Sequence, residues 1–396
     1  MSDTPIPLEK VAVITSGKRP SIVSKERTPS LSIPVIGGGG ISGFTDAALY
    51  EGSVLITGRV GTLGKLFVSN EPCWPSDNAL VIRPSSSATD TQFLQYALQL
   101  RIRDAAGMNR GAANPLITQK DLGSIPIYHP PLDRQSRIAD VLSSLDDKLE
   151  LNRRINETLE AMAQAIFRDW FMDFGPTRRK LEGATDALTI MGGLVQYTER
   201  AQALADLFPA ALGDAGLPEG WTLGRLEDVL ELAYGKALPK GERRDGTIPV
   251  YGSGGVGGSH DTALVSGPSV IVGRKGTVGS LYWEDDDFYP IDTVFYVKSK
   301  LPMTYCYQLL QTLGLETMNT DAAVPGLNRN NAYRLEVPKP HNSKLVSEFG
   351  EIADVLRSKI TANVRENRTL AATRDLLLPK LMSGEVHLSA ASEAVT

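Results

Sequence analysis

The sequence predicts an α+β protein built as an internal pseudo-two-fold repeat, in which two tandem globular domains are separated by two long antiparallel coiled-coil helices. Three observations predict it: long stretches recur at one fixed spacing, each recurring stretch holds short β-rich runs between turn residues, and each is followed by a helical seam.

The repeat comes first, because overlooking one misreads the whole chain. IPVIGGGGISGFTDAAL from Ile33 is echoed by IPVYGSGGVGGSHDTAL from Ile248, and VLITGRVGTLGKLF from Val54 by VIVGRKGTVGSLY from Val270. Gly58 to Gly273 and Asp77 to Asp292 keep the same offset of 215 residues. AANPL from Ala112 answers AAVPGL from Ala322, and IADVL recurs from Ile138 and Ile352. Runs such as SVLIT, ALVIR, SVIVG and TVFYV, set between Gly, Pro, Asn and Asp, predict a compact α+β domain with one twisted sheet in each half.

Helical periodicity follows each domain. Ile138, Leu142, Leu145, Leu149, Asn152, Asn156, Leu159, Ala163, Ile166 and Trp170 step alternately by four and three, the spacing of a coiled-coil seam. A helix from about Gln135 to Phe171 would be roughly 55 Å long at about 1.5 Å per residue. Ile352, Leu356, Ile360, Asn363, Asn367 and Leu370 make the second seam. Asn152 with Asn156, and Asn363 with Asn367, fall in the same frame twice; they either fix the register of the pair or sit solvated where the helix turns away. The expected order is a first domain over 1–132, a central helical region over 133–175, a connecting segment over 176–217, a second domain over 218–341, a C-terminal helical region over 342–385 and a tail over 386–396. Helices packed antiparallel with a domain at each end would act as a ruler.

Composition narrows the function. No apolar run approaches the roughly 20 residues of a membrane span and the opening MSDTPIPLEK is not a secretory signal, so a cytoplasmic protein is expected. Cys73 and Cys306 fit neither a disulfide nor a zinc site. His129, His260, His341 and His387 lack ligand spacing and are expected on the surface, and Glu284 to Asp287 reads as an exposed turn. Gly38, Gly40 and Gly43, with Gly252, Gly254 and Gly257, match a dinucleotide fingerprint, but too few residues follow for a crossover helix. GRVGTLGK fails as a phosphate loop, because Arg59 replaces its first Gly and Leu66 follows Lys65. No NPPY-like methyltransferase motif occurs, so no catalytic residue is assigned and the chain is expected not to be an enzyme.

GRxGTxG before a strand, an Asp before the next, a Pro-Leu near an IPI strand, then PPLDRQSRIADVL and a long helix: in this order the chain resembles the specificity subunits of type I restriction-modification enzymes. LFPAALGDAGLPEGW from Leu207 resembles that family's lead-in to its second recognition domain, and the likeness spans nearly the whole chain. The resemblance implies two target-recognition domains, each reading one half of a split site in double-stranded DNA, with helices that set the spacing and dock methyltransferase subunits. It implies a motor-nuclease partner as well. S-adenosylmethionine and ATP with Mg are implied for those partners, and no cofactor for this chain. A scaffold that keeps the ruler without reading DNA is the competing expectation. Two departures stand out: the second half replaces PPLDRQ by KPHNSKLVSEF, and the first has no counterpart of Gly220 and Trp221.

The net charge is −5; Met1 to Leu132 carries twelve basic against ten acidic residues and Pro218 to His341 twelve against fifteen, so DNA contact has to come from local patches. Gly-rich GRVGT and GRKGT turns bring backbone and a cation close to phosphate or base edges. Arg59 and Arg274 either chelate guanine, anchor phosphate or pack along the sheet against Asp77 or Asp292. Thr62 and Thr277 suit phosphate, and Lys275 adds a second cation. Residues that differ between the halves are candidates for base choice: Lys65 against Ser280, Arg110 and Asn114 in one loop, Asn328, Arg329 and Asn330 in the other. Phe167, Trp170, Phe171 and Phe174 end the first long helix as its packing core or as a docking surface for a partner helix bundle, and stand as the partner-binding candidates.

Overall fold

Short β-branched runs closed by glycine and proline build the same set of sheets twice. The structure, a computed structural model, describes residues 5–59, 64–107, 116–193, 197–213, 215–319, 325–386 and 388. It divides into two compact units, Met1–Leu151 with Glu366–Thr396, and Asn152–Arg365, and each division falls inside a long helix.

In the first unit the chain runs through β1 (Ile6–Pro7), β2 (Ala12–Ser16), β3 (Ile33–Gly37), β4 (Gly40–Thr45), β5 (Val54–Gly58), β6 (Leu66–Ser69), β7 (Trp74–Pro75), β8 (Ala79–Pro84), α1 (Thr91–Gly107), α2 (Gln119–Gly123) and β9 (Pro126–Ile127). An antiparallel sheet has the order β2-β8-β5-β6, and a second the order β4-β3-β7. With the two-stranded β1-β9 pair, the one sheet expected is thus three. β3 reaches β7 only through Val35 with Trp74 and Ile36 with Pro75, where a proline cannot donate and the pairing stops. β5 is buried along its whole length, so it reads as an unbroken apolar run and not as an alternation. The glycine-rich segments that imitate dinucleotide fingerprints are the β3–β4 hairpin and its repeat.

After α3 (Leu132–Phe167), α4 (Gly175–Leu181), α5 (Ala187–Ile190) and α6 (Thr198–Ala205), the second unit repeats the first as β10 (Thr222–Arg225), β11 (Glu231–Tyr234), β12 (Ile248–Gly252), β13 (Gly255–His260), β14 (Ser269–Gly273), β15 (Leu281–Glu284), β16 (Tyr289–Pro290), β17 (Val294–Lys298), α7 (Met303–Gln311), α8 (Arg329–Tyr333) and β18 (Glu336–Lys339), before α9 (Ser343–Ser383). Its sheets have the orders β11-β17-β14-β15, β13-β12-β16 and β10-β18, element for element those of the first unit.

The long helices pair antiparallel within each unit. In the first, the Arg374 guanidinium donates to the Asp146 carboxylate at 2.8 Å and Asn367 Nδ2 to the Leu149 carbonyl at 3.3 Å. In the second, Asn363 Nδ2 donates to Asn156 Oδ1 at 2.8 Å, with Arg357 and Glu160 3.9 Å apart. Asn152 and Asn363 are buried, so the seam asparagines lie between helices and not in solvent. A buried amide that needs its partner at one height disfavours sliding, which is what a register-setting residue does.

Local contacts set the two ends of the first long helix. α3 begins at Leu132, because the Pro131 carbonyl accepts from the Arg134 and Gln135 amides. It ends in a π-turn over Arg168–Met172, which Arg179 fastens by a two-pronged contact with Asp169 at 2.9 and 2.7 Å, and Phe174 then takes a left-handed conformation with φ of 55°. Residues 176–217, expected as a connecting segment, pack Ala187, Ile190, Met191, Ala201, Leu204 and Phe208 into the second unit's core. Two of the expected surface histidines are also built in. His260 is buried, its Nδ1 accepting from the Arg244 amide at 3.0 Å, and half-buried His129 meets the Thr89 hydroxyl at 3.0 Å. His341 is exposed, and His387 lies outside the described residues. The acidic run is the expected turn between β15 and β16, with Asp286 and Asp287 exposed, and it is also tied to α9: Thr361 donates to Asp285 at 2.8 Å, and Arg365 to Asp286 at 2.8 Å.

Candidate nucleic-acid interface

In the second unit, the loop leaving β14 builds a polar cleft. Gly273 is required there, because a Cβ would lie 2.1 Å from the Thr277 carbonyl oxygen as the chain folds back. The Arg274 amide donates to the Thr293 carbonyl at 2.9 Å, while the Arg274 carbonyl accepts from the Leu327 amide at 2.8 Å. That second bond laces the segment before α8 onto the GRKGT turn. Asn328 caps α8, its Oδ1 accepting from the Asn330 and Asn331 amides at 2.9 and 3.3 Å, so its carboxamide oxygen is already engaged.

The next residue is Arg329, whose guanidinium stands 4.7 Å from the Tyr234 ring centre and 5.6 Å from that of Tyr333. Arg274 approaches the same Tyr234 ring at 5.0 Å and donates to the Asp292 backbone carbonyl at 2.6 Å. Lys275 lines the cleft and is exposed, as is Thr277. Two guanidiniums and an ammonium therefore share about 280 Å³ around one tyrosine. Among the described residues, none of the three is paired with a carboxylate, and the Arg329 Nε is buried without a hydrogen-bond partner. Cations left unneutralised in a domain that is acidic in total suit a polyanion.

The first unit repeats the frame with other side chains. The Arg59 amide donates to the Asn78 carbonyl at 3.0 Å and its carbonyl accepts from the Ile117 amide at 2.9 Å, as around Arg274. Thr118 caps α2 in the place of Asn328. Gln119 follows, its Nε2 donating to Ser16 Oγ at 3.0 Å, and Arg59 reaches the same hydroxyl at 3.4 Å. Ser16 ends β2 as Tyr234 ends β11. Lys65 is exposed near this frame's turn. Thr62, Arg110 and Asn114 lie outside the described residues.

Sequence reasoning missed Ser16, Gln119 and Tyr234. A signal existed in the tripeptides Ser16-Gly17-Lys18 and Tyr234-Gly235-Lys236, but they are 218 residues apart and so fall off the offset of 215. The glycine in each is fixed by contact, since a Cβ would meet the Ser76 carbonyl oxygen at 2.2 Å or that of Ile291 at 2.1 Å.

The aromatic cluster is not a surface. Phe167, Trp170 and Phe171 are at most 1% exposed and Phe174 8%. Phe171 packs on Tyr305 with ring centres 5.1 Å apart, Phe167 on Phe349 at 5.4 Å, Trp170 on Phe208 at 5.5 Å and Phe174 on Trp221 at 5.5 Å. Their expected role in partner binding is replaced by core packing, because burying such rings against one another is more favourable than presenting them to water. Both cysteines are buried, and burial pushes the Cys306 thiol up to about 11, far from a reactive thiolate. Among the described residues, no cluster of His, Cys, Asp and Glu could hold a metal, and no helix is long and apolar enough to cross a membrane.

The sequence pattern of the family described as "Type I restriction modification DNA specificity domain" matches residues 6–161 and 218–357. The chain is similar to the type I restriction enzyme HindI specificity subunit of Haemophilus influenzae, at 25% identity over 413 aligned positions covering 87% of this chain and 89% of that protein. It is also similar to the type I restriction enzyme MjaIX specificity subunit of Methanocaldococcus jannaschii, at 24% identity over 85% of this chain and 78% of that one. Its fold is like that of the crystal structure of a type I restriction-modification S subunit from M. genitalium, with a TM-score of 0.65 at 20% identity over 98% of this chain and 96% of the other.

Proposed function

The chain belongs to the type I restriction-modification DNA specificity family, and from that premise we propose that its two cation-lined frames face DNA, each reading one half of a bipartite target. The observation that carries this is the duplication of the frame itself: the same backbone lacing around Arg59 and Arg274 presents a different set of side chains in each unit.

In this reading the chain is the reading subunit of a larger assembly, adds no chemistry of its own, and works in the cytoplasm beside methyltransferase and motor-nuclease subunits. S-adenosylmethionine and ATP with Mg belong to those partners. The long helices set the gap between half-sites and dock the methyltransferase. Exposed apolar side chains along them support that docking, Leu151 and Leu376 in one unit, Met162 and Val355 in the other.

The test is an exchange of Leu8 to Leu132 for the matching domain of a relative, followed by mapping of methylated sites made by the assembled complex. One half of the target should change and the other stay. A change in both halves, or in neither, would overturn independent reading.

A further inference from the structure

The two frames have one residue in common and two that differ. Arg59 and Arg274 are equivalent in sequence and in backbone bonding. Around them stand Ser16 with Gln119 in one unit and Tyr234 with Arg329 in the other. A residue that serves both units alike suits what both half-sites share, the phosphate backbone, whereas residues that choose bases have to differ where the half-sites differ.

We propose that the residue directly after the helix cap selects a base in each half-site, Gln119 taking an adenine and Arg329 a guanine, while Arg59 and Arg274 anchor phosphate. This rests on the reading that the frames face DNA. Arg274 is partly committed to the frame, through its guanidinium bond to the Asp292 carbonyl and its backbone bond to Leu327. Arg329 makes no such bond among the described residues; two tyrosine rings hold it. A guanidinium held by stacking is a pre-aimed fork, and its two parallel N–H groups match guanine O6 and N7. Gln119 spends one amide hydrogen on Ser16, which leaves its carbonyl and second hydrogen as the acceptor–donor pair that fits adenine N6 and N7. Tyr234 and Ser16 act as positioning residues, one by stacking and one by a hydrogen bond.

The experiment uses the full chain assembled with its methyltransferase subunits, a random-sequence DNA pool and sequencing of the methylated sites. Arg329→Gln should lower discrimination at a single base pair of one half-site by roughly 5- to 100-fold, leaving the other half-site intact. Arg329→Lys, which keeps the charge and can still donate to guanine but without the planar fork, should retain part of that discrimination with an unchanged salt dependence of binding. Gln119→Leu should do to the other half-site what Arg329→Gln does to the first. Equal weakening of all sequences with a shallower salt slope would make Arg329 an anchor, and unchanged discrimination in a folded Arg329→Gln variant would make it a bystander; either overturns the proposal. Arg274→Ala separates this from the reading beneath it. If it weakens all DNA alike while Arg329 variants read normally, the frame faces DNA and only the base assignment fails. If Arg274 and Arg329 variants, shown to be folded by melting, both bind as the parent does, the frame does not face DNA at all.

Discussion

The two units share a backbone and differ in how they fasten the start of a long helix to the domain before it. In the first, Gln135 is fully buried and acts as a polar hub: its Oε1 accepts from the Asp90 amide at 2.9 Å, and its Nε2 faces the carbonyls of Pro130 at 2.7 Å and Ala88 at 3.1 Å. In the second, where KPHNSKLVSEF replaces PPLDRQ, the same task falls to Leu345, Val346 and Phe349, buried against Phe167, Trp170, Phe171 and Tyr305. The fold therefore constrains where the helix starts and not which force holds it. The reading frames follow the same rule, with one backbone carrying a serine–glutamine pair in one unit and a tyrosine–arginine pair in the other.

The comparison breaks most readily in the second unit. Phe349→Ala should cost about 3–5 kcal/mol, the usual range for emptying an aromatic site in a core. Three of the four tryptophans, Trp170, Trp221 and Trp283, lie in this unit, so urea unfolding followed by tryptophan fluorescence in a Trp74→Phe background reads it directly. A loss below about 1 kcal/mol would mean the surrounding rings collapse into the space, and that packing is not what fastens this helix.

Gln135→Leu sharpens the contrast from the other side. It keeps volume and removes every polar partner, leaving one amide and two carbonyls unsatisfied, for a cost of about 2–3 kcal/mol if they remain buried. Melting should show the first unit destabilised, with faster hydrogen exchange at the Asp90 amide and the second unit's tryptophan signal unmoved. If the variant were as stable as the parent, the hub would be ordinary packing and the two helix entries would be alike.

What the sequence made legible follows from the distance over which each signal acts. Strands β3 to β8 and their repeats were visible because they keep one offset, and the helical seams because burial recurs along each helix at fixed steps. Arg59 and Arg274 were found through the same offset. Their neighbours were not, because insertions in the connecting loops move Ser16 and Tyr234 to a spacing of 218 and Gln119 and Arg329 to one of 210. The aromatic cluster was ambiguous, since a row of rings at a helix end has the same pattern whether α6, α7 and α9 cover it or leave it bare. His129 was misread, and the ties of the acidic turn to α9 were missed, for a related reason: their partners lie far away in sequence, Thr89 in one case and Thr361 and Arg365 in the other.

The smallest expected effect concerns pH, and it tests whether the polar hub reaches His129. Gln135 Nε2 and the Thr89 hydroxyl both meet His129 Nε2, at 3.2 and 3.0 Å. The Asp90 amide fixes the Gln135 carboxamide with its oxygen toward that amide, so the NH2 group, its two hydrogens shared among the ring and the Pro130 and Ala88 carbonyls, can only donate. Nε2 is then the acceptor nitrogen of a neutral imidazole, with the proton on Nδ1. Burial also disfavours the charged ring and holds His129 below its ordinary value of 6.5. Since the unfolded chain takes up this proton at a higher pH than the folded one, the stability from the neutral ring is complete above about 6.5 and is lost as pH falls through the folded pKa. The urea midpoint of the first unit should accordingly drop between pH 8 and pH 5.5 more in the parent than in His129→Gln, which cannot titrate there. Equal slopes in the two proteins would show that the hub ends at Gln135 and that the ring merely lies beside it.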